Sequence, residues 1–153
     1  MYTEFKIKEL SSWAVIELAC GESKYGFWAS YIMDNSFENL IEVLTSLVCC
    51  EKNNAIATFN LETKGFLEMV FCVYPNQLIK FEVYEGILWE DYDELFQDQP
   101  MPVPVFQTIM PEIKTFAGEV IKEIERYGKE GFDSWDNNFF DEKLVKLKNL
   151  LPS

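Results

Sequence analysis

Alternation of apolar and polar residues dominates the first third of the chain. It runs from Phe5 to Leu10, from Trp13 to Cys20 and from Phe27 to Ile32. Side chains that point to opposite faces in turn are typical of extended strands. Gly21 and Gly26 stand at the two ends of the loop before the last of these segments. The pattern predicts a meander of three antiparallel strands.

A helical period replaces the alternation after Asp34. Asn35 is suited to capping a helix, and Glu38 follows at the spacing of a capping box. Apolar residues then recur every three or four positions, at Phe37, Leu40, Ile41, Leu44, Leu47 and Val48. The spacing predicts an amphipathic helix that ends near Cys50.

A second group of strands is predicted after this helix, from Ala55 to Leu61, from Phe66 to Tyr74 and from Leu78 to Glu85. Gly65 can take the left-handed conformation that a tight hairpin needs, and Pro75 presets φ in the next turn. Two successive hairpins therefore follow the helix.

The last third contains an edge strand and the longest amphipathic segment. The strand is predicted from Val105 to Ile109, because the prolines before it cannot donate to a central ladder. Pro111 and Glu112 then suit a first helical turn. An apolar stripe continues through Ile113, Phe116, Ala117, Val120, Ile121, Ile124 and Tyr127. Gly128 or Gly131 is expected to end this helix.

A short final helix, capped by Asp141, should bring Leu144, Leu147 and Leu151 to the core. The complete order, β-β-β-α-β-β-β-(β)-α-α, predicts an α+β fold. We expect a mostly antiparallel sheet of six or seven strands with the helices packed on one face. No linker or low-complexity tract interrupts the chain, so residues 1–153 are interpreted as a single domain.

The charge balance excludes several classes of partner. The 153 residues include 26 acidic and 13 basic side chains, for a formal net charge of -13. Such a surface repels nucleic acid and anionic lipid and favours basic proteins. The amino terminus lacks the apolar region of a secretory signal, and no apolar run approaches the ~20 residues of a membrane helix. A cytoplasmic location is expected.

Residue types needed for common catalytic or metal sites are missing. The chain has no histidine, and its four cysteines, Cys20, Cys49, Cys50 and Cys72, form no C-x-x-C pair. No nucleophile-elbow or P-loop pattern occurs. We therefore expect reduced thiols, no cofactor, no metal and no enzymatic activity.

Several short motifs carry a family resemblance. They are the run from Ser30 to Leu40, a strand that ends at Leu61 and Glu62, a hairpin at Gly65, and the run from Tyr127 to Phe132. The chain resembles a group of small uncharacterised acidic bacterial α+β proteins with a Ser-Tyr-hydrophobic-x-Asp segment before an amphipathic helix. In type it also resembles immunity proteins that neutralise polymorphic or contact-dependent toxins. The resemblance implies a basic toxin domain as the partner.

The acidic segment between residues 85 and 100 is the candidate partner-binding site. No basic residue occurs between Lys80 and Lys114. The predicted contact residues are three aromatic anchors, Trp89, Tyr92 and Phe96, and four charge partners, Glu90, Asp91, Asp93 and Glu94. Rings supply buried area at an interface, while the carboxylates speed encounter with a basic surface. Alternatively, these rings fold back to cover their own domain.

Two other interpretations of the candidate residues remain open. Carboxylates such as Glu62 and Glu68 could form an acid and base pair, although a solvated sheet face with lysine partners explains them as well. Tryptophans at Trp13, Trp28, Trp89 and Trp135 could line a pocket, but most should be core. The alternative function is a small-ligand-binding protein or an unrecognised enzyme with an aromatic-lined cavity.

Overall fold

The computed structural model describes residues 2–30, 35–61, 65–86 and 103–152. Within them, seven strands and three helices confirm the predicted α+β fold and element order. The strands are β1 (Glu4–Leu10), β2 (Trp13–Cys20), β3 (Ser23–Ser30), β4 (Asn54–Leu61), β5 (Phe66–Val73), β6 (Ile79–Glu85) and β7 (Phe106–Met110). The helices are α1 (Ser36–Val48), α2 (Ile113–Gly131) and α3 (Lys143–Asn149), with 3-10 turns at Asp133–Trp135 and Asn137–Phe140.

The seven strands pair antiparallel in the order of the chain, from β1 to β7. Among the described residues, β3 pairs with β4 at one corner, Ala29 with Leu61 and Ser30 with Asn60. The sheet therefore consists of two meanders, β1–β3 and β4–β7, joined at one corner.

Away from the corner, β2 and β3 of the first meander contact β6 and β7 of the second. The hydroxyl of Tyr25 in β3 donates to the Glu85 carboxylate at 2.5 Å. The sulfur of Cys20 in β2 lies 3.3 Å from the hydroxyl oxygen of Thr108 in β7. These contacts between the two meanders, one exposed and one partly buried, show that the sheet curls, so that both meanders face one core.

One continuous core lies on the face of the sheet that the helices cover, as predicted. Its centre is aromatic: the Phe116 ring of α2 lies 6.2 Å from that of Phe5 in β1 and 5.3 Å from that of Phe81 in β6. Helix α1 adds Phe37, whose ring is 5.8 Å from that of Phe59 in β4. The helices thus connect the two meanders through edge-on and tilted ring contacts.

The predicted start of β3, at Phe27, and the predicted loop before it are wrong. Cys20 pairs with Ser23, which leaves a two-residue turn in which Gly21 has φ 63°. Gly26 lies inside the strand, opposite Glu17, rather than at the end of a loop. The predicted end of this strand, Ile32, lies outside the described residues and stays a prediction.

The amino-terminal cap of α1 is confirmed. The side-chain oxygen of Asn35 accepts the backbone N–H of Glu38 at 3.2 Å. The Glu38 carboxylate binds Lys143 at 3.0 Å. The helix ends at Val48, and Cys50 follows with φ 60°, close to the predicted end.

Helix α2 starts at Ile113, two residues after Pro111, which was predicted to lie in its first turn. Glu112 occupies the N-cap position, so Pro111 precedes the first turn instead of lying in it. Gly128 leaves helical geometry, with φ 72° and ψ 173°, yet the helix resumes and continues to Gly131. Gly128 therefore interrupts the helix, and Gly131 ends it.

The final helix forms, but Asp141 does not cap it. Helix α3 begins at Lys143, and the Asp141 carboxylate binds Lys129 of α2 at 3.0 Å. Asp141 fails as a cap because it directly follows the second 3-10 turn, one residue too early. Leu144 and Leu147 are buried as predicted, and Leu151 packs partly against the core.

Candidate functional site

The predicted contact residues Trp89, Glu90, Asp91, Tyr92, Asp93, Glu94 and Phe96 all lie outside the described residues. The described residues that flank this segment are Gly86, after β6, and Val103, before β7. The N–H of Gly86 donates to the Phe66 carbonyl at 2.7 Å. Because β6 and β7 are antiparallel, the chain leaves and re-enters the sheet at the same end. This sheet end also contains the β3–β4 corner.

Two tryptophans form an exposed pair at this sheet end. Trp13 begins β2 opposite Ser30, and Trp28 lies diagonally across on β3, opposite Val15. Their ring centroids are 6.2 Å apart with an angle of 28° between the planes, a stacked arrangement. Trp13 is 37% exposed and Trp28 50%. We call these two residues the Trp pair.

The Trp pair lies on the outer face, the side of the sheet opposite the helices. Its neighbours Ala14 and Phe27 point into the core, so alternation directs both indoles outward. The interpretation of these two tryptophans as core or pocket-lining residues is therefore wrong. Strand parity was the signal for their outward direction, because Ala14, Ile16 and Leu18 already fill the inward positions of β2.

A polar row continues the outer face across the next strands. It consists of Ser30, Asn60, Glu68 and Tyr84, one residue each from β3, β4, β5 and β6, and all four are buried. Ser30 is paired with Asn60, and Glu68 with Tyr84. The row therefore begins directly beside Trp13 and extends to the strand that leads into the acidic segment.

Burial changes the chemistry of the polar row. Desolvation, together with a hydrogen bond to Glu82 and the charge of that carboxylate, raises the pKa of Tyr84 to about 12. Glu68 is only 1% exposed, so its interpretation as a solvated carboxylate is wrong. Its suggested acid-base partner, Glu62, lies outside the described residues.

The remaining described tryptophan has a structural role. Trp135 is buried, and its ring centroid is 4.9 Å from that of Phe37 in the core. Its indole N–H donates to the Ser11 carbonyl at 2.7 Å. Because the Trp pair lies on the outer face, the three described tryptophans do not line a common pocket.

Charge on the helices is largely matched by neighbouring side chains. Lys143 binds both Glu38 and Glu42, at 3.0 and 3.3 Å. Lys148 binds Glu125 at 2.7 Å. The sequence between residues 87 and 102, by contrast, has five acids and no base, at Glu90, Asp91, Asp93, Glu94 and Asp98. Unbalanced negative charge is therefore concentrated in the segment that joins β6 to β7.

The described residues contain no group of three cysteine, aspartate or glutamate side chains placed to hold a metal ion. None of the helices they form is both long and apolar enough to cross a bilayer. No protein-family model matches the chain, and no curated protein or solved structure does so either. The function has to be inferred from the outer face and the charge distribution.

Proposed function

We propose that this chain is a non-enzymatic binding module that uses its outer face to bind a basic protein. The partner that fits best is a basic toxin domain, which the chain neutralises in the cytoplasm as an immunity protein. The observation that carries the proposal is the exposed Trp pair at the sheet end from which the acidic segment departs.

The Trp pair offers exposed aromatic surface of the kind found at the centre of protein interfaces. Aromatic residues are enriched in interfaces, and tryptophan above all among residues with large effects on affinity. Trp28 is half exposed on a regular strand, where strand pairing fixes its position before a partner arrives. Little side-chain entropy is then lost on binding. Arginine or lysine from the partner can also stack on an indole face.

The acidic segment supplies the charge that matches such a partner. Glu90, Asp91, Asp93 and Glu94 are the proposed charge partners, and Trp89, Tyr92 and Phe96 the additional anchors. Negative potential from a chain of net charge -13 speeds encounter with a basic surface and rejects acidic competitors. The association rate should consequently fall as salt is added.

A basic protein encoded beside this chain's gene would provide a direct test. Its affinity and association rate are measured for the wild type, Trp28→Ala and the control Tyr2→Ala, at low and high salt. Tyr2 is a suitable control because it is 49% exposed, close to the 50% of Trp28. We expect Trp28→Ala to weaken binding by more than 2 kcal/mol, as at interface hot spots, and Tyr2→Ala by much less.

Two results would separate the parts of the proposal. Equal affinities for Trp28→Ala and Tyr2→Ala would remove the Trp pair from the interface. An association rate that does not change with salt would remove the electrostatic contribution. Trp89→Ala combined with Tyr92→Ala should also weaken the complex, and unchanged affinity would exclude these two anchors.

A small-ligand function is the alternative, and the polar row is the observation that favours it. Buried Glu68 beside Tyr84 could bind a polar ligand or take part in proton transfer. A thermal-shift screen against metabolites separates the two functions, because a ligand raises the melting temperature according to its concentration relative to its dissociation constant. A saturable shift that Glu68→Gln abolishes would favour the alternative.

A further inference from the structure

A groove opens at the end of the second meander that lies opposite the β3–β4 corner. Its volume is about 310 Å³, close to the lower end of the roughly 300–1,000 Å³ of small-molecule sites. The carboxyl end of α1, the end of β5, the start of β6 and the first residues of α2 border it, and all of its lining residues lie in the described part of the chain. We call this cavity the α1–α2 groove, and its lining includes Leu47, Lys52, Ile79, Ile113 and Lys114.

The floor of the α1–α2 groove is apolar and continuous with the core. Leu47 of α1, Ile79 of β6 and Ile113 of α2 line it, and all three belong to the core cluster. Val48 and Val73, both partly buried against that cluster, add to the apolar lining. An apolar group that enters the groove would cover these side chains and release the water at their surface. The groove therefore favours a ligand with an apolar part.

Two exposed lysines give the groove a positive charge. Lys52 precedes β4, and Lys114 lies in the first turn of α2. Among the described residues, neither lysine forms an ion pair with a carboxylate. Glu112 is the third charged residue of the lining, and its carboxylate accepts the Thr115 hydroxyl at 2.7 Å. Two positive charges and one negative charge leave the groove with one net positive charge.

The turn after α1 and the start of α2 position these lysines. Cys50 has φ 60°, and its N–H donates to the Leu47 carbonyl at 3.2 Å, so the chain leaves the helix and turns toward Lys52. Lys114 follows Ile113 as the second residue of α2. The carboxyl end of α1 and the amino end of α2 border the same groove, so their helix dipoles offset each other. The lysines therefore determine the sign of the charge at the groove.

We propose that the α1–α2 groove binds a small amphipathic monocarboxylate. The apolar chain of this ligand covers the floor at Leu47, Ile79 and Ile113, and its carboxylate accepts charge-assisted hydrogen bonds from Lys52 and Lys114. One net positive charge matches a monoanion, whereas an uncharged apolar ligand would leave both ammonium groups without an anionic partner. The inference goes beyond the proposed function, because the groove lies at the opposite sheet end from the Trp pair and its ligand is a small molecule.

Octanoate is the probe for this site. Its titration into the isotope-labelled full chain should give saturable shifts of the methyl signals of Leu47, Val73, Ile79 and Ile113. Octanol has the same chain without the charge, and butyrate has the charge with a shorter chain, so each should bind at least about tenfold more weakly. The proposal would be overturned by the absence of a saturable shift, by saturable shifts centred on other residues, or by octanol or butyrate binding as well as octanoate.

Lysine variants test the charge at the groove. Lys52→Gln and Lys114→Gln should each weaken octanoate binding about tenfold, the equivalent of one lost hydrogen bond to a charged group. Lys146→Gln on α3 is the matched control and should bind like the wild type, because Lys146 is also exposed but lies outside the groove. Equal binding by the two groove variants and Lys146→Gln would overturn the proposal. Trp28→Ala should bind octanoate normally, so this site and the Trp pair can fail separately.

Discussion

The Glu123 carboxylate in α2 accepts the backbone N–H of Ile7 in β1 at 2.8 Å, although 116 positions separate the two residues. Arg126 donates to the same carboxylate and, at 2.7 Å, to the Ile7 carbonyl. Tyr127 also donates to that carbonyl, at 3.0 Å. Three side chains of one helix therefore close the edge of β1 and connect α2 to the first meander.

Replacement of Glu123 should destabilise the fold. Glu123→Gln removes the charge that Arg126 compensates and leaves buried donors poorly paired, so we expect a loss of about 1–3 kcal/mol in the free energy of unfolding. Glu125→Gln is the control, because Glu125 forms an exposed ion pair with Lys148 that contributes at most about 1 kcal/mol. Urea unfolding measures both, and similar losses would contradict the edge-closing role.

The pH dependence of stability should identify the same carboxylate. Burial would raise the pKa of Glu123, but hydrogen bonds from Arg126 and the Ile7 N–H, with the charges of Arg126 and Lys6, hold it below its ordinary 4.5. A lowered folded-state pKa means that the stabilisation is present above the unfolded pKa and lost as the pH falls through the folded one. The difference in the free energy of unfolding between the wild type and Glu123→Gln should be largest at pH 7 and should decrease below about pH 4. A gap that is unchanged in acid would contradict this.

Local pattern predicted the elements better than the contacts between them. The alternation of apolar and polar residues predicted the strands, and apolar residues three or four positions apart predicted the helices. Both patterns reflect residues that are close together in the sequence. The edge contact of Glu123 could not be predicted, since a glutamate on a long helix has no sequence feature that names Ile7 as its partner. The outward Trp pair was predictable from parity, but hydrophobicity alone favours burial.

Two glycines of α2 should respond in opposite ways to alanine. Gly128 has φ 72° and ψ 173°, a region that only glycine populates readily, so Gly128→Ala should cost about 1–3 kcal/mol. Gly118 lies in regular helix, and an added Cβ meets nothing within 4 Å. Gly118→Ala should therefore stabilise by up to about 1 kcal/mol. Thermal unfolding of both variants tests this, and a stabilising Gly128→Ala would contradict the interruption at that position.

Removal of one hydroxyl should stabilise the protein. Thr3 is 2% exposed, and its hydroxyl has no hydrogen-bond partner in the described structure. Thr3→Val keeps the shape and removes the desolvated hydroxyl, so the free energy of unfolding should rise by about 1 kcal/mol. Thr45→Val should bring no gain, because the Thr45 hydroxyl donates to the Ile41 carbonyl at 2.8 Å. A loss of stability in Thr3→Val would show that its hydroxyl is bonded.

Hydroxyl-radical footprinting of the chain in complex with a basic toxin domain tests the outer face most directly. The oxidation rates of Trp13, Trp28 and Tyr2 are compared in the free and the bound chain. Because a partner on the Trp pair excludes solvent from both indoles, their oxidation should slow on binding, while that of Tyr2 should not change. Indoles that stay as reactive in a saturated complex as in the free chain would contradict the proposed function.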